Sequence, residues 1–338
     1  MRPRSRWKHD GGLLTVMGAI NWDISVFEER FARPGEEVPV RQVEEFSGGK
    51  GANVAVACAR TLGRGRVAFI GALGDDELAT RQVAGLRDEG VQTDGLFRIR
   101  GSGSGRAYIL VDANGRKTIH THFGANEAIT PAHLSSGGAS RTIAQTRMMI
   151  VMDTPTTVAL AAARAAKGRG ARILYSPGVR TRDGMRALER VVQLSDFVVL
   201  DSHEIRNLYR AKDEEVALAR FRDSHPKLTV VVTLGQRGCM LGRDGITSLI
   251  EGVELSLLGK RAVNSTGSGD AFLGVFASYL LMGRSALDAA NWANLAGALK
   301  ATRYETRGSP TRSELESTMA RLERVRRSRL GLPANRVA

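Results

Sequence analysis

Short runs of apolar residues recur along the chain at 13–20, 67–71 (VAFIG), 147–152 (RMMIVM), 171–175 (ARILY), 196–200 (DFVVL) and 228–234 (LTVVVTL). Most of these runs are unbroken rather than alternating, the pattern of strands covered on both faces. Between them, 51–62, 76–89, 156–169, 183–194, 203–222, 269–282, 285–302 and 311–326 are rich in Ala, Leu and Arg and carry helical spacing. The alternation predicts an α/β fold with a mainly parallel, Rossmann-like sheet and helices on both faces. Asp153–Pro155 and Ser309–Thr311 have the composition of turns or helix entries.

Two segments break this rhythm. Residues 23–45 contain Pro34-Gly35, Pro39 and alternating apolar positions, while 104–122 alternate around Asn114-Gly115, a hairpin signal. Neither has a helix to cover it, which predicts a small antiparallel sheet projecting as a lid. With the flexible joint Gly101–Gly105, the expected division is a core of 12–22, 46–100 and 123–330, a lid of 23–45 and 101–122, and basic tails at 1–11 and 331–338.

The 338 residues are enough for one large core or two modest ones, and the composition is that of an ordinary globular protein. The apolar run 12–20 is too short to span a bilayer and is expected to be the first strand rather than a signal segment. Cys58 and Cys239 form no CxxC or Cys/His cluster, so a reduced, cytoplasmic protein is expected. The net charge of +14 raises the question of nucleic acid. Much of that charge crowds the two ends, aromatic residues are only 5%, and no nucleic-acid motif accompanies it, so a solvated basic surface is the expectation.

Two glycine-rich stretches carry chemistry. Ser47–Asn53 (SGGKGAN) precedes a small-residue helix; its glycines admit a ligand to the backbone, and Lys50 and Asn53 add donors. The spacing is not that of a Walker A loop. Asn264–Phe272 (NSTGSGDAF) opens an apolar helix, where unpaired N–H groups and the helix dipole can hold an anion. Asp270 directly after these groups could accept a hydroxyl proton, or could be a carboxylate that merely favours the helix N-terminus. Taken singly, each stretch also fits a turn that caps a core helix.

Together, GGKGAN near the start and TGSGDAF near the end resemble the two signatures of the PfkB/ribokinase family, with further matches in order at Gly18–Asp23, Pro34–Glu36, Gly71–Asp76, Gly124–Asn126 and Thr233–Gly238. The resemblance implies a ribokinase-like fold and ATP-dependent phosphorylation of a hydroxymethyl group, with Mg²⁺ and transfer in line from ATP. It implies that Asp270 is the base, that Gly267, Ser268 and Gly269 form the anion hole, and that Asn21, Asp23, Gly49, Lys50 and Asn53 hold sugar hydroxyls. Thr233, Gly235, Gly238 and Asn294 fall on the nucleotide side, and Asp201 and Glu204 on the metal side. In relatives the lid often pairs with that of a second subunit, so a homodimer is open.

Departures from the pattern bear on the acceptor. Asp201 stands where Asn is usual, which keeps an oxygen ligand. Asn264 replaces an Asp that helps hold a monovalent cation, so little potassium dependence is expected. Asp153 stands where ribokinases carry Glu, and one methylene less withdraws its oxygens by roughly 1.5 Å, leaving room at the sugar's C1. Arg106 replaces an aliphatic lid residue and could meet a substrate phosphate, or lie exposed. His120, His122 and His203 lack companions for a metal site. Ribose to ribose 5-phosphate is the leading reaction, with nucleoside or ribose 1-phosphate as alternative acceptors. A non-catalytic sugar- or nucleic-acid-binding relative is the reading from another class, and the intact Asp270 and glycine turn argue against it.

Overall fold

The computed structural model describes residues 12–135 and 137–329; the terminal stretches expected as basic tails lie outside the described residues. The strands are β1 (Leu13–Met17), β2 (Asn21–Glu28), β3 (Val40–Gly48), β4 (Val67–Gly74), β5 (Gln92–Ile99), β6 (Gly105–Val111), β7 (Lys117–His122), β8 (Thr146–Met152), β9 (Arg172–Ser176), β10 (Phe197–Asp201), β11 (Thr229–Thr233), β12 (Gly238–Arg243) and β13 (Ile246–Glu251). Nine of them form one sheet in the order β13-β12-β11-β10-β9-β8-β1-β4-β5. It is parallel from β11 to β5, and β12 and β13 add an antiparallel edge.

The helices are α1 (Lys50–Leu62), α2 (Glu77–Asp88), α3 (Ala125–Ala128), α4 (Gly137–Gln145), α5 (Thr156–Lys167), α6 (Met185–Val192), α7 (Ser202–Tyr209), α8 (Glu214–Ser224), α9 (Ser268–Leu281), α10 (Ala286–Ala301) and α11 (Arg312–Arg329). Successive strand residues feed opposite cores. Met148 and Ile150 of β8 pack with α1, α2, α9, α10 and α11, whereas Met149 and Val151 pack with α3 to α8. Both faces are therefore apolar, which explains the unbroken runs in the sequence.

The single helix expected over 203–222 is two. Arg210 takes a left-handed conformation (φ 46°) and closes α7, and the Asp213 side chain accepts from Val216 N to start α8. The hairpin β12–β13, turning at Asp244-Gly245, and the edge strand β5 were not expected from the apolar runs.

The small sheet has the order β3-β2-β6-β7. Its outer pairs are antiparallel, and β2 runs parallel to β6 at its centre. Among the described residues, no helix is long and apolar enough to cross a membrane. Cys58 and Cys239 are free and buried.

In the large sheet, β1 lies between β8 and β4, the place where strand order reverses direction. Crevices open beyond the carboxyl ends of parallel strands at such points. Helix α9 is buried from Ala271 to Leu280 and packs on α1, where a Cβ on Gly274 would come within 2.5 Å of Ala57 Cβ. That close approach aims the N-terminus of α9 into the same crevice.

Candidate active site

A cavity of about 300 Å³ lies at the carboxyl ends of the parallel strands and under the small sheet. Its wall takes Ala19 and Asn21 after β1, Asp153 after β8, Asp201 at the end of β10, Thr233 at the end of β11, the first turns of α1 and α9, and Ala107, Ile109 and Ile119 from the small sheet.

Asn21 is held by both ends of its backbone neighbourhood. Asn126 Nδ2 donates to its Oδ1 at 3.0 Å and to Ile20 O at 3.1 Å, while Ile20 N donates to Asn126 Oδ1 at 3.0 Å. Gln82 Nε2 donates to Asn21 O. Asp23 is buried, and a Cβ on Gly48 would lie 2.1 Å from its carboxylate, so glycine is needed there for space. Loss of water pushes the Asp23 pKa up to about 7, opposed by the nearby Arg307 guanidinium.

Asp270 is the third residue of α9, whose N-cap is Gly267 (φ 85°). Asn53 Nδ2 donates to Asp270 Oδ2 at 2.9 Å, and Arg307 Nε donates to Asn53 Oδ1 at 3.2 Å, which fixes the amide so that its NH₂ faces the carboxylate. Arg307 also donates to Gly48 O at 2.9 Å, so one guanidinium holds both ends of the first glycine turn, and Asn53 carries the link on to α9. Desolvation raises the Asp270 pKa to about 6, while the Asn53 bond and the Lys50 charge pull it down. Ser268 N donates to Ser265 O at 3.1 Å, closing the turn. This corrects the expectation for Ser268: the N–H groups left without an acceptor among the described residues are those of Gly267, Gly269 and Asp270.

Lys50 opens α1 and reaches to 3.8 Å from Asp153 Oδ2, its pKa raised first by that carboxylate. Asp153 is buried, has φ 47°, and accepts from Val179 N at 2.9 Å. A non-glycine residue held in the left-handed region is backbone strain that the fold maintains at the cavity wall. Asp201 and Glu204 cap α7 reciprocally, at 2.7 and 2.9 Å, and burial followed by the Asp201 charge raises Glu204 to about 7. Each carboxylate keeps one oxygen outside the capping box. No group of three His, Cys, Asp or Glu suited to a metal occurs among the described residues.

Other expected residues lie elsewhere. Thr233 lines the cavity, but Gly235, Gly238 and Asn294 stand beyond it on the β12–β13 side. Gly238 packs against Ile250 O, and Asn294 Nδ2 donates to Ile250 O and Glu251 O at 3.2 Å each. Arg106 takes the second of its two readings, away from the cavity. On β6 it is Ala107 and Ile109 that face the cavity, and strand alternation turns Arg106 to the opposite side, 3.9 Å from Asp76. His120 and His122 are exposed, and His203 pairs with Asn207 one helical turn on. Three basic residues not singled out from the sequence enter the site's surroundings. Arg307 orients Asn53, Lys300 stands behind the glycine turn of α9, and Lys117 of β7 donates to Thr266 Oγ1 at 2.5 Å.

A carboxylate at a helix N-terminus, beside unpaired N–H groups and polar side chains for a polyol, defines a site for moving an anionic group onto a hydroxyl. The chain belongs to the pfkB family of carbohydrate kinases, whose family model matches residues 12–312, and it is an ATP-dependent sugar kinase of ribokinase type. The ribokinase of Haemophilus influenzae is 30% identical over 307 residues, covering 89% of this chain and 96% of that protein. A bifunctional ribokinase/ribose-5-phosphate isomerase A of Fructilactobacillus sanfranciscensis is 29% identical over 272 residues, and the chain spans about half its length, 48%. An ATP-dependent ribose-1-phosphate kinase of Halopiger xanaduensis is 27% identical over 87% of this chain and 93% of that protein. In fold, the structure of Arabidopsis thaliana ribokinase complexed with ribose and ATP gives a TM-score of 0.81 at 23% identity, covering 93% of this chain and 99% of that one.

Proposed function

We propose that this kinase phosphorylates the hydroxymethyl group of ribose to give ribose 5-phosphate. The observation that carries the reading is Asp270, gripped by Asn53 in the cavity wall that also contains Asp23, Asn21 and Lys50. Asn21, Asp23, Gly49, Lys50, Asn53 and Asp153 hold the sugar hydroxyls, as alternating donors and acceptors suit a neutral polyol. The hydroxyl oxygen attacks the γ-phosphorus of ATP, the bond to the bridging oxygen breaks, ADP leaves, and the hydroxyl proton passes to Asp270. The N–H groups of Gly267, Gly269 and Asp270 stabilise the transferring phosphoryl. Thr233 borders the nucleotide, with Gly235, Gly238 and Asn294 further out along it.

The free oxygens of Asp201 and Glu204 suit Mg²⁺, a hard cation that keeps several waters and needs only one or two carboxylates. It would supply neutralising charge at the phosphates. A substrate already bearing a phosphate is less favoured, because Asp23, Asp153 and Asp270 crowd the sugar end and Arg106 faces away from it. Turnover with ATP of ribose, other sugars, ribose 1-phosphate, inositol and nucleosides tests the reading. Ribose is expected to give the highest kcat/KM, and absence of ribose phosphorylation would contradict it.

A further inference from the structure

Lys300, in the last turn of α10, is fully buried, yet it has no carboxylate partner among the described residues. Its Nζ donates to two backbone carbonyls, Asn264 O at 2.9 Å and Arg303 O at 3.3 Å. These belong to the two loops behind the glycine turn of α9. The loops are stitched together as well by Val263 N to Ala301 O at 2.7 Å and by Asn264 Nδ2 to Tyr304 O at 2.8 Å. A Cβ on Gly267 would sit 3.3 Å from Lys300 Cε and 2.1 Å from Thr306 O, so the lysine stem lies directly against the anion-binding turn.

Burying an ammonium without a counter-ion is costly and must be offset by well-placed acceptors. Burial draws the Lys300 pKa down to about 8, while the Asp270 and Glu305 charges hold it up and those of Lys117 and Arg303 oppose them; with only carbonyl acceptors around Nζ, the donor-rich ammonium is the form the surroundings favour. A cation held by carbonyl oxygens beside an anion site does the work of a small monovalent ion, and here two carbonyls hold a charge that the chain supplies itself.

We propose that the Lys300 ammonium is a built-in monovalent cation. Held by the Asn264 and Arg303 carbonyls, it fixes the two loops and adds positive potential behind the N–H groups that receive the transferring phosphoryl. The assignment rests on the reading of the α9 N-terminus as the transfer site. Lys300 touches neither substrate nor nucleotide and is a positioning residue. A tethered charge at this position lessens the need for an added ion, in keeping with the low potassium dependence expected from Asn264.

The test uses whichever acceptor the wild-type protein turns over, in potassium, sodium and choline chloride at equal ionic strength. Wild-type kcat is expected to agree within about twofold across the three salts, since a tethered charge needs no added ion. Lys300→Ala is expected to lose roughly 10²-fold in kcat with KM little changed, a loss on the scale of one donor to the developing anion. Ammonium or potassium, but not choline, should restore much of that kcat and raise the variant's Tm, a linkage the wild type lacks. Strong potassium activation of the wild type would overturn the proposal, as would full activity in a folded Lys300→Ala or a loss that no small cation restores. If Lys300→Ala does not fold, Lys300→Met, which keeps most of the stem and leaves the ammonium position empty, carries the same kcat and salt-rescue arms. Failure of the wild type to phosphorylate any acceptor would instead contradict the functional reading on which the proposal rests.

Discussion

The two glycine-rich helix starts resemble each other in sequence and differ in what their glycines do. At α1, the missing side chains make room for protein atoms: a Cβ on Gly48 would strike the Asp23 carboxylate at 2.1 Å, and one on Gly49 (φ 86°) would lie 2.4 Å from Asn21 N. At α9, Gly269 has nothing within 4 Å of where its Cβ would be, and its N–H has no acceptor among the described residues. The first turn is a packed frame that aims side chains at a polyol. The second is packed at Gly267, where a Cβ would lie 2.1 Å from Thr306 O, and opens only at Gly269 into a cradle of backbone donors. A glycine motif thus signals close approach without saying whether the approaching group is the protein or the ligand.

Substitutions separate the two roles. Gly269→Ala is expected to lower kcat by roughly 10²-fold by crowding the transferring phosphoryl, with a Tm close to that of the wild type. Gly48→Ala is expected to do the reverse in kind, costing about 1–3 kcal/mol of stability through overpacking against Asp23, read as a fall in the denaturation midpoint. Equal Tm losses in both would erase the distinction.

The carboxylate between the two turns gives the next effect. Asp270 has its pKa raised to about 6 and must be ionised to accept a proton, so the rate should rise with pH and level off above the titration. Asp23 and Glu204, raised to about 7, titrate close by, and the rising limb belongs to the set rather than to one group. A rate that stays flat down into the ordinary carboxylate range would contradict this. The smallest effect is expected of Arg106→Ala. Its exposed-side contact with Asp76 is worth about 0–1 kcal/mol, and KM for the sugar should be unchanged.

The parts legible in the sequence were those governed by local pattern. Runs such as RMMIVM and LTVVVTL announce strands buried on both faces, and the two glycine motifs announce the helix starts that meet in the cavity. The β5 segment QTDGLFRI was not legible because an edge strand mixes polar and apolar positions, and the split of 203–222 depends on one left-handed residue, Arg210. Arg307 and Lys300 were hidden for another reason. They are two among 49 basic residues, and their partners, Asn53 for one and the Asn264 carbonyl for the other, are brought to them by the fold. Arg106 shows what a family position leaves open, contact or exposure, where strand parity turns the side chain away from the cavity.

The measurement closest to the central claim compares wild type with Asp270→Asn at saturating ribose and ATP, with ribose and nucleotide affinities measured in parallel by calorimetry. The variant should lose at least roughly 10²–10⁴-fold in kcat, the range of a general base, while both affinities stay near wild type. Undiminished formation of ribose 5-phosphate by the variant would remove Asp270 from its role and contradict the account.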